Sequence, residues 1–100
     1  MSSFRLISEP AADLDVIAAF EWYEGERPGL GWEFLDELHA TYTRVQDGPF
    51  HYQDLQAGVR RALLRRFPYS VYFAVERELV VVVAVLRASR DPAEWQRRRG

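Results

Sequence analysis

YSVYFAVERELVVVVAVL, residues 69–86, is the stretch that decides the fold of this chain. Two apolar runs, Tyr69–Val75 and Leu79–Leu86, flank a charged pair at Arg77 and Glu78. Runs of this length that are rich in valine and aromatic residues are typical of buried β-strands, and the charged pair indicates a hairpin turn. Because Leu79–Leu86 is apolar at every position, we expect a central strand that is covered on both faces.

Two helices are predicted upstream of this hairpin. A short first strand, residues 4–8, leads into a helical pattern that runs to about Glu26 and is broken by the Arg27-Pro-Gly sequence. In this first helix we expect Leu14, Ile17, Ala18 and Trp22 to form the buried stripe, with Phe20 and Tyr23 off it. A second helix is predicted from about residue 30 to residue 46, and the short break between the two favours an antiparallel helical hairpin.

The rest of the chain supplies two further elements. Residues 50–58 read as a loop, residues 59–66 as a strand, and Asp91-Pro92 opens a short helix whose Trp95 we expect to pack on the sheet. The order is β-α-α-β-β-β-short α. We therefore predict an α+β fold in which a helical hairpin packs on one face of a mostly antiparallel four-stranded sheet, forming a single domain over residues 1–100.

Charge is divided unevenly along the chain. Residues 1–54 hold three arginines against eleven acids, a net charge of −8, whereas residues 55–100 hold ten arginines against four acids, a net charge of +6. The formal net charge of −2 hides this dipole, which favours an acidic or phosphate-bearing partner for the second half. The Arg97-Arg-Arg99 sequence at the end reads as a solvated tail.

Composition excludes several classes of protein. The chain has no cysteine, so disulfides and thiolate chemistry are unavailable, and it has neither a secretion signal nor an apolar run long enough to cross a bilayer. We expect a cytoplasmic protein without membrane contact. No metal-ligand spacing or phosphate-binding loop is present, so we expect no metal, no cofactor and no small-molecule ligand.

Seven short sequence motifs lie at distinctive places along this order of elements: Ala12-Asp-Leu14, Trp22-Tyr-Glu24, Leu30-Gly-Trp-Glu-Phe-Leu35, Val59-Arg-Arg61, Arg66-Phe-Pro-Tyr69, Val71-Tyr-Phe73 and Arg90-Asp-Pro-Ala-Glu-Trp95. Together they resemble the RelE/ParE superfamily of toxins from type II toxin–antitoxin modules, over nearly the whole chain. The resemblance implies a small bacterial toxin that inhibits growth, stabilises plasmids and is kept inactive by a cognate antitoxin protein. Its target would be either DNA gyrase, which one branch inhibits, or messenger RNA on the ribosome, which the other branch cleaves.

The resemblance also implies positions for a nuclease site. Arg61 matches the basic residue of the second strand and Arg90 the arginine just past the fourth, so these two are the catalytic candidates. Ser70 stands where an arginine of the third strand is expected, and Trp95 or Gln96 where a terminal Tyr or His is expected. Two of the four roles are therefore missing.

The remaining candidates form a predicted binding surface. Arg61, Arg65, Arg87 and Arg90 could hold a phosphate or carboxylate, and Trp95 could flank them. No acid–base pair is evident, because His39 and His51 both lie in the acidic half, where a surface or capping role is the simpler reading. We therefore expect a toxin that binds and inhibits gyrase; a ribosome-dependent mRNA endoribonuclease, or a degenerate toxin retained for antitoxin binding, are the alternatives.

Overall fold

The computed structural model describes residues 4–99. Within that range the elements are β1 (Arg5–Ser8), α1 (Pro10–Glu26), α2 (Leu30–Asp47), a 3₁₀ turn (Pro49–His51), β2 (Asp54–Gln56), β3 (Val59–Leu63), β4 (Tyr69–Glu76), β5 (Leu79–Arg87) and α3 (Ala93–Arg99). The strands form one sheet in the order β1-β5-β4-β3-β2, in which β1 and β5 are parallel and the other neighbours antiparallel. The predicted α+β architecture is confirmed.

The sheet has one strand more than the sequence predicts. The additional strand, β2, lies in the segment 50–58 that reads as a loop, and it pairs with β3 through a tight turn at Ala57 and Gly58. Both turn residues have positive φ, 55° and 78°, as a two-residue hairpin requires. A strand of three residues is too short to show an alternating pattern, which is why the sequence does not reveal it.

The central strand β5 is covered on both sides, as predicted. One side of β5 presents Val80, Val82 and Val85 to a core shared with α1 and α2. The other presents residues such as Val81 and Leu86 to a second cluster that contains α3. The two apolar layers explain why this strand carries no polar side chain between residues 79 and 86.

The face of α1 that packs on the sheet is not the predicted one. Leu14, Ile17 and Trp22 are 66%, 53% and 56% exposed, whereas Ala12 and Ala19 are buried. This helix carries apolar residues all round, so periodicity cannot select the inward side. The small Ala12 and Ala19 permit the helix backbone to approach the sheet closely. Tyr23, predicted to lie off the buried stripe, is buried with them, whereas Leu14, Ile17 and Trp22 face solvent.

The turn between α1 and α2 is held by one carboxylate. Glu24 of α1 accepts hydrogen bonds from the backbone N–H groups of Gly29 and Gly31, both at 2.9 Å, so it satisfies the free donors at the start of α2. Gly29 has φ 93°, a left-handed conformation that favours glycine. In residues 4–99 no helix combines the length and apolar character that crossing a membrane needs.

Candidate functional site

The candidate residues lie on different surfaces and do not form one phosphate clamp. Arg61 pairs in register with Tyr72, whose side chain belongs to the cluster on the α3 side of the sheet. Arg87 lines a pocket on the α1 side, while Arg65 and Arg90 lie in the segments that follow β3 and β5. The structure therefore brings Arg87 and Arg90 together and leaves Arg61 and Arg65 apart from them.

Trp95 fastens α3 to the sheet, as predicted for its packing. The indole stacks on the Tyr72 ring with centroids 5.5 Å apart and planes 18° from parallel, and only 4% of the residue is exposed. Next to it on α3, the Gln96 amide donates a hydrogen bond of 3.2 Å to the Gln56 side chain of β2. Trp95 therefore offers almost no surface to a partner while α3 stays in this position.

Ser70 occupies a closed position in the middle of the sheet. It is fully buried, between Leu63 of β3 and Leu86 of β5 in the strand register. Its hydroxyl oxygen has no hydrogen-bond partner among the described residues. A cation at this position would lose its hydration without gaining an ion partner, so the arginine expected here in a nuclease would not fit this packing.

Arg65 belongs to a loop that is fastened through its backbone. The N–H groups of Arg65 and Arg66 both donate to one oxygen of the Glu37 carboxylate on α2, the second at 2.8 Å. The Arg66 guanidinium also meets Glu33 at 2.7 Å, and this contact is the main cause that lowers the pKa of the Glu33 carboxyl. The Arg65 residue is exposed. We conclude that this segment positions the β3–β4 connection against α2.

A basic and aromatic pocket lies between α1 and the end of β5. This Arg87–Arg90 pocket has a volume of about 270 Å³ and is lined by Asp15, Ala18, Ala19, Trp22, Tyr69, Val85, Leu86, Arg87 and Arg90. The Arg87 guanidinium lies over the Tyr69 ring, 5.8 Å from its centroid, and Arg90 donates to Glu94 at 3.1 Å. Both arginines and Trp22 are exposed. The pocket thus offers two cationic forks beside an aromatic surface.

One wall of this pocket is an ion pair that joins three elements. Arg98 of α3 binds both oxygens of the Asp15 carboxylate, at 2.5 and 3.0 Å, and donates to the backbone oxygen of Val83 at 3.2 Å. The same carboxylate accepts from the Val85 N–H at 2.9 Å. The hydrogen bond from the Arg98 guanidinium to Asp15 is the main cause that raises the pKa of Arg98. The prediction that Arg98 belongs to a solvated tail is wrong.

The bond pattern around Asp15 follows from where β1 ends. β1 pairs with β5 only from Leu79 to Val82, after which the chain turns into α1. Val83 has no Cα partner on β4 either, because the register shifts there. Asp15 accepts from the Val85 N–H and Arg98 donates to the Val83 oxygen, so both backbone groups beyond Val82 have side-chain partners.

A second concavity runs between the helices of the hairpin on their solvent side. This α1–α2 groove is lined by Val16, Ile17, Phe20, Glu21, Trp32 and Leu35. Phe20 and Trp32 meet edge to face, with ring centroids 5.0 Å apart, and Trp32 is 62% exposed. The sequence reasoning misses this groove because it assigns Ile17 to the core; the exposed position of Trp32 is not evident from spacing either.

The described residues hold no cluster that could bind a metal ion. His39 is exposed on α2 and His51 is exposed in the 3₁₀ turn, and neither lines the Arg87–Arg90 pocket. No group of three or more His, Asp or Glu side chains in residues 4–99 could hold a metal ion. What the arrangement offers chemically is recognition, through guanidinium groups and exposed aromatic surfaces.

Comparisons with known proteins agree with this architecture. A solved structure described as the chromosomal ParDE TA system from P. aeruginosa superposes with a TM-score of 0.76 at 19% sequence identity, covering 85% of this chain and 96% of that one. A search of curated proteins gives no match. A family model, described as the ParE toxin of the type II toxin–antitoxin system parDE, matches residues 6–92. The resemblance drawn from the sequence is thereby confirmed, and the chain belongs to the ParE toxin family of type II toxin–antitoxin systems.

Proposed function

We propose that this toxin acts by binding and inhibiting DNA gyrase, and that a cognate antitoxin neutralises it. The observation that carries the proposal is the burial of Ser70 and Trp95 on the α3 side of the sheet. Ser70 stands where the resemblance places an arginine in a cleaving relative, and Trp95 or Gln96 stands where it places a proton carrier. Of the two activities that the superfamily resemblance implies, the one that depends on binding is therefore the better supported.

Cleavage of RNA makes demands that these residues do not meet. A base must take the proton of the 2′-hydroxyl, an acid must protonate the leaving oxygen, and cations must stabilise the charge that builds on the phosphate. Arg61 and Arg90 can supply charge, but β4 lies between β3, which carries Arg61, and β5, which Arg90 follows. The loss of one preorganised donor costs about 3–4 kcal/mol of barrier, so cleavage should be weak at best.

The α1–α2 groove supports the antitoxin half of the proposal. Contiguous exposed apolar surface on a protein of this size marks an interaction site, and here Ile17 and Trp32 are more than half exposed beside Phe20 and Leu35. An antiparallel helix pair presents a groove that an amphipathic helix can fill with residues at helical spacing. We propose that a helical segment of the antitoxin lies there.

Controlled expression tests the target. Growth and primer extension on cellular mRNA are measured after induction of the toxin. In parallel, DNA supercoiling by purified gyrase is measured with and without added toxin. We expect growth arrest, loss of supercoiling with added toxin, and no early cuts in translated mRNA. Cuts placed by codon and abolished by Arg61→Ala would establish the nuclease instead. If the toxin expressed alone causes no growth arrest but the purified toxin still binds the antitoxin, the toxin is degenerate.

A further inference from the structure

The Arg87–Arg90 pocket lies where β5 has lost its neighbouring strand. β1 stops at Ser8, and the part of β5 beyond Val82 faces α1 across a cavity of about 270 Å³. Part of its lining is apolar or aromatic and includes Ala18, Trp22 and Tyr69. The opening carries Arg87 and Arg90. A cavity of this size is at the lower limit of small-molecule sites but suits one or two side chains of a peptide.

The charge of this pocket is positive although an acid lines it. The Asp15 carboxylate is bound by the Arg98 guanidinium and by the Val85 N–H, so it has little capacity left to attract either pocket arginine. Within residues 4–99, Arg87 forms no ion pair with a carboxylate. An added carboxylate would therefore meet uncompensated charge at Arg87.

Arg90 is held only weakly by its present partner. Its contact with Glu94 joins residues four apart on the surface, with side-chain exposures of 51% and 29%. Such pairs contribute little stability because solvent screens them and both side chains lose freedom. Glu94 also lies 3.9 Å from Arg97, so it retains an ion-pair partner when Arg90 turns toward the pocket. Arg90 can thus change partner at small cost.

We propose that this pocket receives an acidic segment of the antitoxin. One carboxylate of that segment is held by Arg87 and Arg90, and an adjacent apolar side chain lies against Trp22 and Ala18. The inference rests on the proposed neutralisation by an antitoxin and adds the site and the chemistry of the contact. This pocket differs in chemistry from the α1–α2 groove, whose lining is apolar except for Glu21 and contains no arginine. The two surfaces would therefore bind different parts of the antitoxin.

The antitoxin complex provides the first test. The double variant Arg87→Gln/Arg90→Gln is compared with Arg77→Gln/Arg97→Gln, which removes the same charge from exposed positions outside the pocket. Titration calorimetry with the full-length antitoxin should show affinity reduced at least about tenfold for the pocket variant, with a weaker dependence on salt, and by less than about twofold for the control. Equal affinities for the two variants would overturn the proposal and leave neutralisation itself intact.

A peptide probe makes the test independent of the antitoxin. An acetylated Glu-Leu-Asp-Leu-Glu peptide is titrated into the Trp32→Phe variant, in which Trp22 is the exposed indole and Trp95 is buried. We expect saturable changes in Trp22 fluorescence that Arg87→Gln/Arg90→Gln abolishes. Binding of the peptide without antitoxin binding would retain the site but refute the neutralisation. Displacement of the peptide by a DNA oligonucleotide at lower concentration would assign the pocket to nucleic acid and overturn the proposal.

Discussion

Arg98 of α3 forms a bidentate ion pair with Asp15 of α1, with N–O distances of 2.5 and 3.0 Å. The side chains are only 23% and 12% exposed. The pair fixes α3 to α1 across the open edge of β5, and it satisfies two backbone groups of that strand at the same time. A local absence of strand pairing is thus repaired by side chains from opposite ends of the sequence.

Removal of either partner should destabilise the protein. Asp15→Ala leaves both Arg98 and the Val85 N–H without their acceptor, so we expect a loss of about 2–4 kcal/mol in the free energy of unfolding. Arg98→Gln should cost less, because a polar side chain can still reach the strand. Urea denaturation measures both, and Arg97→Gln on the same helix, at 70% side-chain exposure, is the matched control. A cost for Asp15→Ala no larger than that of the control would show that the pair contributes nothing.

Ser70→Ala should be neutral or stabilising by up to about 1 kcal/mol. The serine hydroxyl is buried without a partner, and its removal relieves that desolvation while leaving the packing almost unchanged. The control is Thr41→Val, because the equally buried Thr41 donates to the Glu37 backbone oxygen at 2.9 Å and should cost about 1 kcal/mol. Thermal unfolding of the two variants distinguishes them; a destabilised Ser70→Ala would indicate a hydrogen bond that the structure lacks.

Two glycine substitutions should have opposite signs. A Cβ added at Gly31 would lie 2.8 Å from both the ring and the backbone oxygen of Phe20, so Gly31→Ala should cost about 1–3 kcal/mol by forcing the helices apart. A Cβ at Gly25 meets nothing within 4 Å, and alanine there should add about 0.5 kcal/mol through helix propensity. Denaturant midpoints for the pair test this; equal shifts would contradict the close approach of α1 and α2 at Gly31.

Stability should fall at high pH because of Tyr42. Burial raises the pKa of this phenol well above its ordinary value, and the negative charges of Asp13 and Asp15 add to the effect. A pKa that is higher in the folded state gives a contribution that is complete below the unfolded pKa of about 10 and is lost as the pH rises beyond it. Tyr42→Phe should therefore flatten the decline in unfolding free energy above about pH 10. Parallel pH profiles for variant and wild type would exclude this residue as the cause.

Ile17→Glu should weaken antitoxin binding without unfolding the toxin. Ile17 lines the α1–α2 groove and is 53% exposed, so a charge there should change stability by no more than about 0.5 kcal/mol but disrupt apolar docking. Leu63→Glu is the control, since Leu63 is 54% exposed in β3, outside the groove. Pull-down and calorimetry with the antitoxin measure the difference. Similar affinities for both variants would place the antitoxin elsewhere.

The sequence specifies the sheet far better than the orientation of α1. The valine-rich run that becomes β5 has one reading, because a segment apolar at every position must be buried on both sides. In α1, by contrast, Leu14 and Ile17 compete with Ala12 and Ala19 for the core, and propensity cannot rank them. The outcome depends on how closely a helix can approach a sheet, which is a property of the assembled layers.

The candidate site shows the same division. Arg87 and Arg90 can be singled out from the sequence because they are charged residues at the end of the last strand and just past it. Trp22, which completes the pocket, is misassigned to the core together with the rest of its stripe. The role of Arg98 depends on a contact with a residue 83 positions earlier, and no local pattern encodes a pairing over that distance.

The parallel pairing of β1 with β5 has a consequence for synthesis. Residues 5–8 find their strand partner only when residues 79–82 have been made, so the sheet cannot close while most of the chain is still being translated. The helical hairpin can form earlier, but the face of α1 that carries Ala12 and Ala19 stays exposed until β5 has been synthesised and can pack against it. A growing chain therefore presents the groove between its helices, the surface proposed for the antitoxin, before it possesses a completed sheet. Capture during translation would reach the toxin before it could act.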